Sequence, residues 1–395
     1  MMKIVFLSEL KWRYLRTRKQ QLVRCFPKEW QILFAEPYTV GRENFLSRRQ
    51  ENNVTYITVP YFKNFPQTGL QKLLLVPPVR AGVILANACW LWIVLQKSGF
   101  RRPEVVVVSN IYYAPILRLL FGKTPVIYDC NDDHLAFPMT PPWARRYFSS
   151  LCRRADRIVC CSQTLKKNIA AGHRHKTLLI GNGVDAGLFT PPATIPREMQ
   201  NLPQPILLYV GALSEWIDMA LLQRVAEAHP GKSLVLIGPA APAVRPALDR
   251  LVQMPNVRFL GEMSHDRIPQ YLAAAEVCLM PFIKNALTAV LNPNKLYEYF
   301  AAGKAVVSVD VSPEVRAYQN EIFLADDHES FVRQIDAAVA AGSSATAPEQ
   351  AARRRQLARA NDWQEKAAEF RALIESLTKN NRHEYHLSSL KKSHG

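Results

Sequence analysis

A lysine and a carboxylate stand three residues apart, at Lys295 and Glu298, near the start of a predicted helix. Side chains at this spacing lie on the same side of a helix, so both can reach one place. The free amides and the positive dipole of a helix N-terminus favour an anion such as a diphosphate. A carboxylate one turn further on can accept hydrogen bonds from the two hydroxyls of a ribose. The spacing therefore fits a nucleoside diphosphate site, and it equally fits a Lys–Glu pair on an ordinary surface helix.

The helix that carries this pair has signals at both ends. We expect Asn292 to cap its free amides, Pro293 to take its first position and Gly303 to stop it in the left-handed conformation. The apolar run after Gly303 reads as a short buried strand of a parallel sheet. Three residues share a helical face and are expected to pack on that sheet: Leu296, Tyr299 and Phe300.

A second group of chemically active residues follows the predicted strand 125–128. Parallel α/β sheets bind their ligands at the carboxyl ends of the strands, which is where this group lies. Carboxylates can bind sugar hydroxyls, and they can take the proton that leaves an acceptor hydroxyl. Helix capping is the structural alternative, and Mg²⁺ binding is a further one. The predicted catalytic residues are Asp129, Asp132, Asp133 and His134.

Apolar runs alternate with helical stretches along most of the chain, which predicts parallel, doubly wound sheets. In the first half the predicted strands are 4–7, 31–34, 105–109, 125–128, 156–162 and 178–180. In the second half they are 206–211, 234–239, 257–262, 277–282 and 304–309, and the chain then reads as helical to about residue 378. Asn182-Gly183 predicts a tight turn with a positive φ, at which the first domain closes.

Three motifs together resemble those of one enzyme family. The stretch Pro293-x-Lys295-x-x-Glu298-Tyr299-x-Ala301-x-Gly303-Lys304-x-Val306-Val307 resembles the donor motif of GT-B glycosyltransferases, in particular the family 4 group. Asn182-Gly183-Val184-Asp185 and Tyr128-Asp129-Cys130-x-Asp132-Asp133 resemble further segments of that group. Within it, the chain is most similar to teichuronic-acid-type and related bacterial surface polysaccharide enzymes.

This resemblance implies an α/β GT-B fold, with two doubly wound Rossmann-like domains facing a cleft. We expect an acceptor-binding domain at 1–188, a proline-rich linker at 189–205 and a nucleotide-sugar-binding domain at 206–360. A closing helix at 361–378 would return to the first domain, and 379–395 would be a loose basic tail.

The resemblance also implies which residues hold the donor. Lys295 and the helix amides would stabilise the leaving diphosphate, Glu298 would bind the ribose, and the loop after Gly261 would stack the base. The chain departs from the family at Ala212 and Glu215, where an arginine clamp is usual, and at Val290, where the Glu-x7-Glu motif has its first glutamate. The predicted donor-binding residues are Gly211, Gly238, Gly261, Asn292, Asn294, Lys295, Leu296 and Glu298.

The formal net charge of +17 and the pI near 9.6 predict an acidic partner. Nucleic acid, anionic lipid and the phosphates of a nucleotide sugar all qualify by charge. No groove-reading helix, zinc-ligand spacing or aromatic RNA platform accompanies the charge, so we do not expect nucleic acid as a partner. Seven cysteines without a CxxC pair read as small core residues in a reducing compartment.

The stretch 70–103 is unusually apolar and has basic ends. Two prolines, an arginine and an asparagine interrupt it, so we expect it to be too short to span a membrane. It reads either as a buried helix of the first domain or as a helix in the membrane interface, with Trp90 and Trp92 at headgroup level. Arg18 and Lys19 lie after the first strand, either on a solvated helix face or against an acidic acceptor.

The residues and the resemblance together predict a glycosyltransferase of bacterial surface polysaccharide synthesis. The donor would be a UDP- or GDP-linked sugar, without a metal or another cofactor, and the acceptor a glycan or a lipid-linked glycan. The protein would be cytoplasmic and peripheral at the inner face of the cytoplasmic membrane, on an anionic surface. A nucleotide-sugar epimerase and a catalytically inactive adaptor on the same fold are the alternatives, and both inversion and retention of configuration stay open.

Overall fold

The computed structural model of the protein describes residues 1–13, 16–37, 48–59, 73–137, 140–169, 172–189 and 194–392. The chain divides into two compact units. The first comprises Met1–Cys161, Leu165–Ile180 and Ala367–Gly395, and the second comprises Ser162–Thr164 and Gly181–Lys366. Residues 190–193 of the expected linker lie outside the described part, and the remainder of 189–205 belongs to the second unit.

Buried apolar runs form the sheet of the first unit. Its strands are β1 (Lys3–Leu7), β2 (Gln31–Pro37), β3 (Arg48–Glu51), β4 (Val54–Val59), β5 (Val105–Val108), β6 (Val126–Cys130), β7 (Arg157–Cys160) and β8 (Thr177–Leu179). They are ordered β3-β4-β2-β1-β5-β6-β7-β8, and only the β3–β4 pair is antiparallel among these described strands. The six predicted strands are confirmed, whereas β3 and β4 are not among them.

Among the described residues of this unit, the helices between these strands are α1 (Arg18–Arg24), α2 (Pro77–Lys97), α3 (Ala114–Phe121), α4 (Ala144–Arg154) and α5 (Gln163–Ile169). Short 3₁₀ turns at Ile111–Tyr113 and Arg174–Lys176 connect them to the strands. Since the strands are parallel, each helix carries the chain back, and the carboxyl ends of β1, β2, β5 and β6 meet at one edge of the sheet.

Helix α2 corrects two expectations about the apolar stretch. Pro77 and Pro78 do not interrupt the helix but begin it. The amides of the first turn have no partner within a helix, so a proline, which has no amide hydrogen, is tolerated there. The helix has 21 residues with a mean hydropathy of 1.6 over its most apolar window, long and apolar enough to cross a membrane. Only 22% of that window is buried, so the interpretation as a buried core helix is wrong.

The second unit is built on a six-stranded parallel sheet. Its strands are β9 (Ile206–Val210), β10 (Ser233–Ile237), β11 (Val257–Gly261), β12 (Val277–Met280), β13 (Ala305–Val309) and β14 (Phe323–Ala325), in the order β11-β10-β9-β12-β13-β14. The five predicted strands are confirmed. The expectation of purely helical sequence after Val309 is wrong at β14, a three-residue edge strand too short to show a periodic pattern.

The described helices in this part of the chain are α6 (Arg197–Gln200), α7 (Met219–Ala228), α8 (Arg245–Leu251), α9 (Ile268–Ala274), α10 (Asn294–Ala301), α11 (Pro313–Arg316), α12 (His328–Gly342), α13 (Ala347–Arg359) and α14 (Trp363–Lys392). The backbone of α14 stays helical to Lys392, so the expected loose tail is wrong up to that residue. From Ala367 onward this helix belongs to the first unit, where the Phe370 ring lies 6.1 Å from that of Phe26.

Gly183 is required for a reason other than the predicted one. It is absent from the residues with positive φ, so the expected tight turn is wrong. Instead Val184 forms a parallel bridge to Asp362, and a Cβ on Gly183 would lie 2.5 Å from the carbonyl oxygen of Asn361. The glycine is therefore needed because two backbone segments of the second unit approach closely there.

Candidate functional site

Lys295 lies in the first turn of α10, and two aromatic rings from the carboxyl edge of the second sheet hold its ammonium group. The Nζ atom donates a hydrogen bond to the hydroxyl of Tyr209 at 3.1 Å. It lies 4.6 Å from the centroid of the Tyr209 ring and 4.9 Å from that of Phe282. The half-buried lysine is thus fixed by cation–π contacts at the edge where parallel sheets bind their ligands.

Gly211 provides the space for this lysine. A Cβ on Gly211 would lie 2.8 Å from Lys295 Nζ, and the backbone φ of +144° is one that residues with side chains rarely adopt. As a predicted donor-binding residue, Gly211 could have presented its amide to a phosphate, but that amide donates to the carbonyl oxygen of Ile237 at 2.8 Å. Gly211 therefore contributes to the site by making room for Lys295.

The surroundings of Lys295 alter its titration. Burial lowers its pKa to about 8, and the nearby Glu298 carboxylate opposes part of this shift. A lysine with this pKa is still mostly charged at neutral pH, yet its charge is poorly solvated. An incoming anion that replaced the lost hydration would be favoured at this position.

Glu298 lies one turn further along α10 and does not pair with Lys295. Its Oε1 atom is 3.2 Å from Nε2 of His265, in the loop that follows β11. No ion pair between Lys295 and Glu298 occurs among the ion pairs of the described residues. The alternative of an ordinary Lys–Glu surface pair is therefore wrong, and the two charges lie on one side of the helix with separate partners.

The start of α10 differs from the prediction, while its end agrees. The helix begins at Asn294, so Pro293 takes the capping position and Asn292 lies outside. The predicted cap fails because the Asn292 side chain accepts a hydrogen bond from the hydroxyl of Tyr297 at 2.8 Å. At the other end Gly303 has a φ of +73°, which confirms the left-handed stop.

The remaining predicted donor-binding residues have different surroundings. Leu296 is buried in the hydrophobic core, as are the other two residues of the predicted apolar face, so only its main chain can meet a ligand. Asn294 is half-buried, and its Oδ1 has no hydrogen-bond partner within the described part of the chain. The amide of Gly238 donates to the carbonyl oxygen of Gly261 at 2.8 Å, so it too is used by the sheet.

Val290, where the family has a glutamate, is buried beside the start of α10. It ends a 3₁₀ turn, Thr288–Val290, in which Thr288 is fully buried and donates through Oγ1 to the carbonyl oxygen of Ile283. This segment is therefore part of the packed interior, and Val290 itself offers no carboxylate to a ligand.

In the first unit, Asp129 is engaged by a buried arginine. Nε of Arg18 donates to both carboxylate oxygens of Asp129, at 3.0 and 3.3 Å, and both side chains are almost completely buried. Lys19 pairs in the same way with the buried Glu9. Both alternatives for Arg18 and Lys19, a solvated face and contact with an acceptor, are therefore wrong.

The other three predicted catalytic residues follow β6 in one short loop. Asp132 accepts through Oδ2 from the side chain of Asn131 at 2.6 Å, and Asp133 accepts through Oδ1 from the amide of Leu135 at 3.0 Å. Both carboxylates are half-buried, whereas His134 is buried and stacks on Tyr128. Asp132 and Asp133 are thus better placed than Asp129 to reach a substrate.

Several polar residues at the two sheet edges are not among the predicted ones. In the first unit, Glu9 accepts from the hydroxyl of Ser109 at 2.7 Å, which joins the ends of β1 and β5. In the second unit, Tyr209, Phe282 and His265 hold the predicted Lys295 and Glu298. The available signal for Glu9 and Ser109 was a polar residue at or just beyond the end of a predicted buried strand.

Other features of the described residues lie apart from these groups. No cluster of three or more His, Cys, Asp or Glu side chains there is arranged to hold a metal ion. A cavity of about 510 Å³ is lined by Gln204, Glu276 and Lys304 among others. Because these residues precede β9, β12 and β13, that cavity lies at the amino edge of the sheet, opposite Lys295.

Two family models match the chain, one after the other. The model described as Glycosyltransferase Family 4 matches residues 46–188, and the model described as Glycosyl transferases group 1 matches residues 204–341. Among curated proteins, TuaH of Bacillus subtilis (strain 168), named as a teichuronic acid biosynthesis glycosyltransferase, is 27% identical over 267 residues. The match covers 63% of this chain and 66% of TuaH, just under two thirds of that protein.

Solved structures share the fold over almost the whole chain. Sucrose-phosphate synthase from Thermosynechococcus elongatus has a TM-score of 0.75 and 17% identity, covering 96% of this chain and 100% of that one. HepE of Anabaena, in complex with UDP and glucose, has a TM-score of 0.65 and 19% identity, covering 95% and 100%. A trehalose-6-phosphate structure from E. coli, bound with UDP-2-fluoro glucose, has a TM-score of 0.70 and 12% identity, covering 95% and 99%.

Proposed function

Because this chain belongs to the GT-B glycosyltransferases, we propose that it transfers a sugar from a nucleotide-diphosphate sugar to a glycan or lipid-linked acceptor. The relative TuaH, named for teichuronic acid biosynthesis, supports a role in the synthesis of a bacterial surface polysaccharide. The donor binds in the second unit and the acceptor in the first.

The position of Lys295 is the observation that carries this proposal. Its ammonium group lies at the carboxyl edge of the second sheet, in the first turn of α10, close to the helix amides. When the bond between sugar and diphosphate breaks, negative charge builds on the diphosphate. A poorly solvated cation held in place before the reaction stabilises that charge without reorganising.

The donor is a UDP- or GDP-linked sugar. The solved structures of HepE with UDP and glucose, and of the E. coli protein with UDP-2-fluoro glucose, support a UDP sugar by analogy. Glu298 accepts hydrogen bonds from the ribose hydroxyls, and the loop after Gly261 meets the base. The reaction needs no metal or other cofactor in this proposal, because Lys295 and the helix amides supply the positive charge.

On the acceptor side, the reaction requires a proton to leave the attacking hydroxyl. If the configuration at the sugar is inverted, Asp132 or Asp133 takes this proton, because both carboxylates are half-buried in the loop after β6. If the configuration is retained, no side-chain base is needed. In either case the sugar passes through a state with oxocarbenium character.

Release of nucleoside diphosphate from a panel of nucleotide sugars, with and without a membrane extract, tests the proposal. Release that depends on the extract is the expected result. Conversion of the donor without an acceptor indicates an epimerase, and neither release nor binding indicates an inactive adaptor. The relative TuaH, which is named as a glycosyltransferase, favours neither alternative.

The acceptor is lipid-linked in this proposal, and the protein is cytoplasmic and peripheral at the inner face of the cytoplasmic membrane. Helix α2 supports this: Leu85 is 60% and Trp92 54% exposed. Its opposite face packs against the first unit, since Leu91 is fully buried and the Trp90 ring nitrogen donates to the carbonyl oxygen of Thr58 at 3.3 Å. A helix with one face on protein and one apolar face exposed suits the plane of a membrane surface.

The surface charge supports an anionic membrane. Arg101 and Arg102, just beyond α2, are exposed, and so are the more distant Arg48 and Arg49. Each basic residue near an anionic surface contributes about 1 kcal/mol of attraction. Arg18 and Lys19 do not add to this attraction, because both are buried in ion pairs.

A further inference from the structure

We propose that His265 is a positioning residue for the donor: it holds one oxygen of the Glu298 carboxylate so that the other accepts from the ribose. This inference rests on the proposed function, since it names a further residue of the same donor site. The family resemblance assigns the loop after Gly261, which contains His265, to the base, but it gives His265 itself no role.

The geometry of the pair supports a fixed arrangement. His265 Nε2 and Glu298 Oε1 are 3.2 Å apart, and the two side chains are 17% and 16% exposed. Oε2 of Glu298 has no hydrogen-bond partner of its own within the described part of the chain. One carboxylate oxygen is thus occupied, and the other stays available at an edge that solvent can reach.

The imidazole itself is held from its other side. The ring of Phe189, which is completely buried, meets the ring of His265 edge-on with centroids 5.2 Å apart. Nδ1 of His265 is buried and has no hydrogen-bond partner among the described residues. Within the described residues the bond from Nε2 to Glu298 is therefore the only hydrogen bond of the imidazole, and together with the Phe189 contact it orients the ring.

This arrangement matters because a free glutamate side chain has three rotatable bonds. A ribose that binds to an unfixed carboxylate must first order it, which costs part of the free energy of the new hydrogen bonds. When His265 holds the carboxylate, the Glu298 side chain is already ordered in the folded protein, and the ribose does not have to order it. The pair therefore strengthens recognition of the ribose hydroxyls, whereas binding of the diphosphate depends on Lys295.

The test compares His265→Phe, which keeps a ring against Phe189 and loses the donor, with His265→Gln, which keeps a donor. Calorimetry measures the Kd of UDP and GDP and of their 2′-deoxy analogues. In the parent, loss of the hydroxyl is expected to weaken binding by about tenfold or more. In His265→Phe the ratio of the Kd of the 2′-deoxy analogue to that of the ribonucleotide should fall below about threefold. His265→Gln should restore at least half of the parent's ratio on a logarithmic scale.

His328→Phe is the matched control, because His328 forms a similar pair with Asp218, at 2.8 Å, elsewhere in the second unit. His328→Phe should leave the ratio of the two Kd values unchanged, and melting temperatures check that each variant is folded. If His265→Phe weakens both ligands of a pair equally, His265 contacts another part of the nucleotide or has a structural role, and the inference is overturned. If the parent binds none of the ligands, the proposed function itself fails, and the inference falls with it.

Discussion

Lys295 and Glu298 lie one turn apart on α10, yet each side chain is bonded to a different strand end of the second sheet. Lys295 is held by Tyr209 of β9, and Glu298 by His265 in the loop after β11. A direct ion pair between them would satisfy both charges and leave neither for a ligand. Because the protein itself keeps them apart, a diphosphate and a ribose can each find a charged group on one side of the helix.

Replacing Lys295 by alanine is expected to weaken binding of nucleoside diphosphate and to slow turnover while the fold is kept. Loss of one charge-assisted contact costs about 1.5–3 kcal/mol, or a factor of about 10–150 in Kd. Calorimetry measures this change, with Lys295→Met as a variant that keeps the aliphatic stem. Lys284→Ala removes a lysine that pairs only at the surface, with Asp326, and serves as control. Unchanged affinity in Lys295→Ala would exclude contact with the diphosphate.

The pKa of Lys295, lowered to about 8 by burial, predicts a pH dependence of donor binding. Below pH 8 the amine is charged, so this group adds no pH dependence. Above pH 8 the free protein loses the proton that the bound diphosphate favours, and affinity falls toward tenfold per pH unit. Proton uptake measured by calorimetry in several buffers should rise over the same range. Lys295→Arg, which stays charged, should give a flat profile, and an equal decline in that variant would assign the effect to another group.

Glu298→Gln is expected to reduce the preference for ribonucleotide over deoxyribonucleotide donors. The neutral amide is a weaker acceptor than the carboxylate, and its orientation by His265 changes as well. The preference is measured as the ratio of the Kd values of each ribonucleotide and its deoxyribonucleotide. A variant that discriminates as well as the parent would mean that other residues bind the hydroxyls.

The local features of this donor site could be predicted, but the long-range partners could not. Spacing within one helix indicated Lys295 and Glu298, and buried apolar runs indicated the strands that surround them. The partners Tyr209 and His265 are 86 and 33 residues distant along the chain, so no local pattern connects them. The predicted cap at Asn292 failed for a different, local reason: Tyr297, five residues further on, donates a hydrogen bond to the side chain that would have capped the helix.

Arg18 and Asp129 are a second pair that sequence could not join, as 111 residues separate them. Arg18→Met leaves the buried carboxylate without its partner and is expected to lower the free energy of unfolding by about 3–5 kcal/mol. Adding Asp129→Leu should recover most of that loss, because neither charge of this pair then remains. Denaturant unfolding measures the free energy of unfolding of both variants.

Arg24→Met is the control, because it breaks a partly exposed pair with Glu51 and should cost about 1 kcal/mol or less. A similar loss in the single and the double variant would mean that Arg18 stabilises the unit through packing alone.

The exposed face of α2 predicts how the protein attaches to a membrane. Binding to anionic vesicles should combine electrostatic attraction, which salt screens, with apolar insertion, which salt does not. High salt should therefore release part of the protein, and Trp92→Ser should release more, because Trp92 is 54% exposed.

Trp90→Ser is the matched comparison. The ring nitrogen of Trp90 donates to the carbonyl oxygen of Thr58, so loss of this side chain should affect stability more than membrane binding. Vesicle flotation measures the bound fraction, with neutral vesicles as the control for weak binding. Binding that ignores both salt and lipid charge, or that only detergent reverses, would instead indicate that α2 spans the membrane.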